Sequence, residues 1–400
     1  MLNGGMGAAA QEMMSILLAA GRAVGAADFV PIRSAHVGLS FTSLGPAGVR
    51  WLEKLAASGA RVRVLTTTNV LSAERHSGKT SGSADDEMQG RALKALLRMG
   101  ALDSCSCNPF TQGHLPEPGS CVAWSESATA PYVNSVLGAR TNREGVTALA
   151  SALTGVTPNY GMHILSNRRA RLAMHVRAEL SELHRFHLLG AVLARRCGGR
   201  IPVITGIPPD TDAVSLYGLC AGFASYCSLS MFHLVGISPE APTFEAAISL
   251  GLADDTELTE IEAMEIRDDD IEQQRLEINQ HSEKRSADIA VIGCPHASLS
   301  QLREITALVD GESVRADKVF LVHTNAEVSA EAERQGLLPL LRAAGVIVTR
   351  DTCLYVSLDR YPQGSRVLSN SVKMVQLMAA RGYDAAIAST RDCVRAMIQR

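Results

Sequence analysis

Apolar residues recur along this chain in two rhythms. Short, nearly continuous apolar runs fall at 62–66, 201–205, 232–236, 288–293, 318–323 and 345–349, the reading expected of strands buried on both faces. Between them, 88–99, 167–195, 212–228, 256–279, 298–308 and 329–344 place apolar side chains at helical spacing, which predicts helices covering a sheet. The alternation predicts an α/β fold with mainly parallel sheets flanked by helices. No internal repeat interrupts it. With 400 residues the chain exceeds what one core holds, so two or three lobes are expected, divided near 1–200, 201–285 and 286–400.

Two stretches depart from these rhythms. Residues 76–86 (HSGKTSGSADD) are small and polar and read as a loop; the SGKTSG string lacks the leading glycine of a phosphate loop. Residues 254–288 are acidic with apolar positions at helical spacing, the pattern of a solvated amphipathic helix. The first 32 residues carry an apolar run broken by Gln11, Glu12, Arg22 and Asp28, which predicts a helix of the fold and not a signal peptide. No stretch approaches the ~20 apolar residues of a membrane span.

Charge balance narrows the function. Lys plus Arg is 38 against 41 acidic residues, and aromatics are 4%, which argues against nucleic-acid binding and for a small-molecule site. Nine cysteines at irregular spacing argue for reduced thiols in a cytoplasmic protein, some of them available for chemistry.

Ligands of parallel α/β sheets bind beyond the carboxyl ends of strands. There the sequence places Cys294-Pro-His296, His323-Thr-Asn325 and Asp351-Thr-Cys353, and a further loop carries Cys105 and Cys107 before Asn108-Pro-Phe110. Three thiolates from separate loops would hold iron and leave one position open to substrate; the competing reading is cysteine as a small buried hydrophobe. Cys197, Cys220, Cys227 and Cys393 lie in apolar or helical contexts that favour that second reading, and Cys121 reads as structural. His184 and His187 lie three apart on one predicted helix and are not taken as ligands. Residues 121–145 concentrate Glu126, Ser127, Asn134, Arg140, Thr141, Asn142, Arg143 and Glu144 among small residues. That density suits a polar pocket in which Arg140 and Arg143 grip a carboxylate or phosphate and Asn142 orients a hydroxyl; the alternative is a salt-bridge network through Glu144.

Residues 134–145 (NSVLGARTNREG) followed by 148–161 (ALASALTGVTPNYG) closely resemble the signature of the aconitase X family. Residues 31–37 (PIRSAHV), 107–110 (CNPF), 293–296 (GCPH) and 351–353 (DTC) resemble its other landmarks in the same order. The resemblance spans nearly the whole chain. It implies an aconitase-like, multi-lobed hydro-lyase in which Cys107, Cys294 and Cys353 ligate an iron-sulfur cluster or a mononuclear iron. His36, Asn142, Glu144 and His296 become candidate catalytic residues, and Ser34, Ser127, Asn134, Arg140, Thr141, Arg143 and Lys373 candidate substrate contacts. It also implies a small swivelling domain, expected here as a separate subunit that brings the catalytic base, making a heterodimer.

The family's substrates are cis-3-hydroxy-L-proline and phosphomevalonate. Arginine outnumbers lysine about five to one, which inclines the reading to the hydroxyproline type. Two departures bear on substrate. The family's Gly-Gly-Pro is Gly145-Val146-Thr147 here, and its Ser-x-Lys-x-Ala-x-Tyr pattern becomes Ser371-Val-Lys-Met-Val-Gln-Leu377, keeping Lys373 and losing the aromatic. A non-catalytic iron-sulfur subunit or sensor is the reading of another class.

Overall fold

In the computed structural model, which describes residues 1–74, 84–253, 260–280, 282, 286–357 and 361–398, the apolar runs become strands of small parallel sheets. The first third holds β1 (Phe29–Pro31), β2 (Ser34–Val37), β3 (Leu65–Thr68), β4 (Ala123–Trp124) and β5 (Val156–Pro158). Here β2 lies between β3 and β4 in a parallel sheet, while β1 and β5 form an antiparallel pair. The middle holds β6 (Leu172–Val176), β7 (Pro202–Thr205), β8 (His233–Leu234) and β9 (Ala263–Ile266), parallel in the order β8-β7-β6-β9. The last third holds β10 (Ile289–Ile292), β11 (Val319–Thr324), β12 (Ile347–Arg350), β13 (Arg366–Ser369) and β14 (Asp384–Ile387), parallel in the order β12-β11-β10-β13-β14.

β10 shows why continuous apolar runs make central strands. All four of its residues are buried, and successive side chains point to opposite faces. Ala290 and Ile292 join a core with Leu302 and Ile305 of helix Leu299–Val309 and Val394 and Met397 of helix Thr390–Met397. Ile289 and Val291 enter a second core with Met374 and Val375 of helix Val372–Ala379 and Leu189 of helix Leu183–Arg196. Each such aliphatic side chain, fully buried, stabilises by about 1.5–3 kcal/mol. Among the described residues no helix is long and apolar enough to cross a membrane.

Three predicted helices differ in the structure. Residues 167–195 divide into β6 and helix Leu183–Arg196, because the Leu172–Val176 segment pairs with both β7 and β9; its Leu, Ala and Met favour helix locally, and the two-sided ladder outweighs that. Residues 256–279 likewise divide into β9 and helix Asp268–Asn279, with 254–259 outside the described residues. Residues 329–344 divide at Gly336, whose φ of 73° ends helix Ala326–Arg334 before Leu337–Ala343 begins. The apolar run at 62–66 enters its sheet three residues later, as β3. The SGKTSG string at 77–82 lies outside the described residues.

Helices Leu183–Arg196 and Ala213–Tyr226 pack backbone to backbone. A Cβ at Gly222 would lie 1.9 Å from the His187 carbonyl oxygen, and one at Gly190 2.1 Å from that of Leu219. Neither partner is a side chain that can swing away, so Gly222→Ala forces the helices apart. We expect a stability loss of about 3 kcal/mol, read as a lowered urea midpoint; an unchanged midpoint would show that the helices are not in backbone contact.

Candidate active site

Three loops meet where the sheets end. After β10 the chain turns through Gly293, at φ 106°, where a Cβ would sit 2.1 Å from the His323 carbonyl oxygen; only glycine fits that approach, and it delivers Cys294 past the sheet edge. After β12, Asp351 takes φ 66° and its carboxylate accepts from the Ala326 N–H at 3.1 Å, directing Cys353 to the same edge. The third loop is fixed to the end of β3. Ser104 Oγ accepts from Thr68 N at 2.7 Å and donates to Thr68 O at 3.0 Å, and Ser106 N donates to Thr68 O at 3.1 Å, which places Cys107. His296 ties the loops together. Its N–H donates to Cys107 Sγ at 3.3 Å, its Nε2 bonds Thr352 O at 3.0 Å, and its carbonyl accepts from Asn108 Nδ2 at 3.3 Å.

Cys107, Cys294 and Cys353 line one cavity of 520 Å³. Burial pushes all three thiols up, Cys353 to about 12, so thiolates here call for a cationic partner. The Cys107 sulfur accepts a hydrogen bond from His296 N. Cys105 and Cys197, in contrast, donate to Asp103 Oδ1 and Ala194 O. All nine cysteines are free. Three half-buried sulfurs on three loops, lining one cavity, fit the donor set of an iron-sulfur cluster, although among the described residues no three Cys, His, Asp or Glu side chains gather closely enough to hold one ion.

The same cavity carries one charge pair. Lys373 Nζ contacts Glu126 Oε1, and Asn69 Nδ2 and the Ala128 N–H donate to the same carboxylate at 3.1 and 3.2 Å. Burial alone would push Glu126 up; the Lys373 ammonium and these donors outweigh it and hold the carboxyl at about 2. Burial opposes charge on Lys373 too, and Glu126 with the Cys294 and Cys107 sulfurs raises it instead. The remaining lining is largely apolar, with Leu39, Leu44, Trp51, Val70 and Tyr355.

Of the residues singled out from the sequence, Cys107, Cys294, Cys353, Glu126, Ser127 and Lys373 line this cavity. His36 lies behind it on β2, with Nδ1 2.8 Å from Thr67 Oγ1 and Nε2 unpartnered; burial pushes it down to about 4. His296 faces a separate 90 Å³ cavity behind the Cys294 loop. The signature segment turns away from the cavity. Ser34 Oγ accepts from Trp124 Nε1 at 3.0 Å, and Asn134 bonds the Thr141 backbone and Arg168. Thr141 Oγ1 donates to Asn142 O, Asn142 bonds Tyr160 O and Met162 N, and Arg143 donates to the Ala224 and Cys227 carbonyls at the end of helix Ala213–Tyr226. Arg140 reaches the His163 carbonyl, and Glu144 the His163 ring. Of the signature, Gly145 and Leu149 reach the cavity, together with the intervening Val146, which is 84% exposed. His323 and Asn325 serve the scaffold: His323 Nε2 accepts from Leu354 N at 3.0 Å, and Asn325 caps helix Ala326–Arg334.

The partnership of Glu126 with Lys373 escaped the sequence, since 247 residues separate them. The signal available was Glu126 itself, a lone acid among small residues.

Comparisons with known proteins agree with this architecture. Family models described as the aconitase X first, second and third domains match residues 1–166, 170–275 and 287–399. A phosphomevalonate dehydratase large subunit from Methanothermobacter thermautotrophicus is 36% identical over 89% of this chain and 86% of its own. A cis-3-hydroxy-L-proline dehydratase from Pseudomonas aeruginosa is 33% identical over 100% of this chain and 68% of its own. The crystal structure of Thermococcus kodakaraensis aconitase X in its holo-form superposes with a TM-score of 0.86 at 28% identity, covering 99% of this chain and 97% of that one. With three thiol-bearing loops meeting at the ends of parallel strands and matches that run through every lobe, this chain belongs to the aconitase X family of dehydratases.

Proposed function

We propose that this chain is the large part of a two-subunit hydro-lyase that removes water from a small hydroxy acid, cis-3-hydroxy-L-proline, with an iron-sulfur cluster held by Cys107, Cys294 and Cys353. The observation that carries this reading is the set of three half-buried thiols lining one cavity together with the Lys373–Glu126 pair. When bound, the cluster supplies a Lewis-acidic iron to the departing hydroxyl. Lys373 holds the substrate carboxylate, Ser127 adds a hydrogen bond, and the apolar wall of Leu39, Leu44 and Trp51 packs the ring and excludes water. His36 and His296, kept neutral by burial, brace the walls from behind. The proton acceptor is assigned to the small swivelling subunit that closes the cavity.

Charge favours the hydroxyproline reading. Among the described residues lining the cavity, Lys373 is the one cation and Glu126 the one anion. A zwitterionic imino acid brings one charge of each sign, whereas a phosphate adds about two negative charges to a carboxylate. The match to a phosphomevalonate dehydratase large subunit over 86% of its length supports the second reading.

Anaerobic co-purification with the candidate small subunit, iron and sulfide quantitation, and parallel assays on both substrates test the proposal. Turnover of cis-3-hydroxy-L-proline is expected from the pair and not from this chain alone. Turnover of phosphomevalonate instead would move the substrate assignment, iron without either turnover would favour a non-catalytic iron-sulfur subunit, and protein without iron would remove the mechanism.

A further inference from the structure

Part of the cavity lining is tied to a helix that does not line it. Helix Phe41–Ala57 breaks at Gly45, whose φ of 59° and ψ of 178° lie outside the helical region, with Pro46 next in the chain; proline disfavours a helical residue before it and has no N–H to continue the ladder. The break gives the short first turn and the longer remainder separate directions, and Leu44 from the one and Trp51 and Leu52 from the other line the cavity. Leu44 folds back over Gly48, where a Cβ would lie 3.0 Å from the Leu44 Cβ. Leu52 is anchored in a core with Met13 and Leu17 of helix Ala8–Ala23. Trp51 is only partly buried, and its indole N–H donates to Glu12 Oε1 of that helix at 2.9 Å. The other oxygen of Glu12 lies 4.0 Å from Lys54 Nζ. Glu12 does not line the cavity, so the polar edge of the indole is taken up outside it and the carbon atoms of the ring are what the cavity receives.

We propose that Trp51 is a specificity-determining residue for the dehydration and that Glu12 is its positioning residue, holding the indole as a fixed apolar plate against the hydrocarbon ring of a cyclic hydroxy acid. This rests on the hydroxyproline reading of the cavity. A partly exposed indole without its hydrogen bond samples several rotamers, and substrate binding then has to order it at a cost to affinity. The bond to Glu12 removes that cost before substrate arrives. Acting on the body of the substrate and not on the atoms that react, the plate contributes binding common to the ground and transition states, which lowers KM and leaves kcat unchanged. It also discriminates. A saturated ring covers the plate, whereas an open-chain phosphorylated acid brings a strongly hydrated anion that an apolar surface disfavours.

The test uses the iron-loaded two-subunit enzyme with cis-3-hydroxy-L-proline, comparing wild type, Glu12→Ala and Glu12→Gln. The Glu12 side chain is 39% exposed, so its replacement leaves the core intact. In Glu12→Ala, KM is expected to rise about tenfold with kcat within about twofold of wild type. Glu12→Gln keeps an acceptor oxygen and is expected to stay within about threefold of the wild-type KM. Acrylamide quenching of Trp51 fluorescence, with Trp51→Phe as the blank, gives a readout independent of turnover. Quenching is expected to increase in Glu12→Ala and to diminish when substrate binds the wild type. Wild-type turnover with KM unmoved in Glu12→Ala, a Glu12→Gln KM raised as far as that of Glu12→Ala, or Trp51 quenching unchanged by substrate would overturn the inference and leave the proposed reaction standing. A wild-type enzyme that does not turn over cis-3-hydroxy-L-proline would overturn that reading and this inference with it.

Discussion

Serine in place of Cys294 is expected to strip iron from the purified protein and to lower dehydration by about a thousandfold. Cys294 sits at the centre of the thiol set, coupled electrostatically to both Cys107 and Cys353, and a hydroxyl is a harder, less readily ionised donor than a thiol. On the proposed mechanism, losing the Lewis acid would forfeit several kcal/mol of stabilisation of the departing oxygen, about 4 kcal/mol for a thousandfold. The fold should survive, because the Cys294 loop is held through Gly293 and His296 and not through the sulfur. Cys220→Ser provides the control: that cysteine is fully buried in the helical core away from the cavity, so its replacement should cost stability while leaving the iron content unchanged. Iron retained at full stoichiometry in Cys294→Ser would remove this cysteine from the ligand set.

Acidification is expected to destabilise the protein steeply, independently of the cluster. Burial pushes His36 to about 4, His187 to about 3 and His233 to about 4; for His233 burial outweighs a hydrogen bond to the Arg168 carbonyl, which acts the other way. All three fall below the ordinary histidine value of about 6.5, so the unfolded chain takes up protons that the folded chain refuses. Stability is therefore full above about pH 6.5 and falls as pH drops toward the folded values. Three such groups give a slope of about 4 kcal/mol per pH unit between roughly pH 6 and 4.5, enough to consume a typical margin of about 5–15 kcal/mol within a few units. Glu126 adds to the loss mainly below about pH 4.5, where the unfolded carboxyl takes up a proton and the folded one, held at about 2, does not. Urea midpoints of the Cys294→Ser protein, in which metal release plays no part, should decline steadily from pH 7 to 5. A flat profile would mean that these histidines are hydrated or paired in solution.

Much of this was legible along the chain. The Ile289–Ile292, Val319–Thr324 and Ile347–Arg350 strands were expected because strands covered on both faces must be apolar at every position, and the cysteine loops were expected at their ends because parallel sheets leave ligands nowhere else to bind. The polar density of residues 121–145 was equally plain, while its orientation was not. Arg140, Asn142 and Glu144 meet backbone groups and His163 in the 157–163 stretch, and no local pattern distinguishes a polar residue that faces a pocket from one that satisfies a neighbouring carbonyl.

Sequence alone determined the alternation of elements, the motif order that marks the family and the three thiol-bearing loops, since each of these is written in residues close together in the chain. Tertiary structure decided the rest. It converted Leu172–Val176 and Ala263–Ile266 from helix-like segments into strands by offering each a ladder partner, and it brought Lys373 to Glu126 and His163 to Glu144. Pairing of charges and completion of hydrogen bonds depend on which groups meet in space once water is excluded, and that follows from how the lobes pack and not from the spacing of residues along the chain.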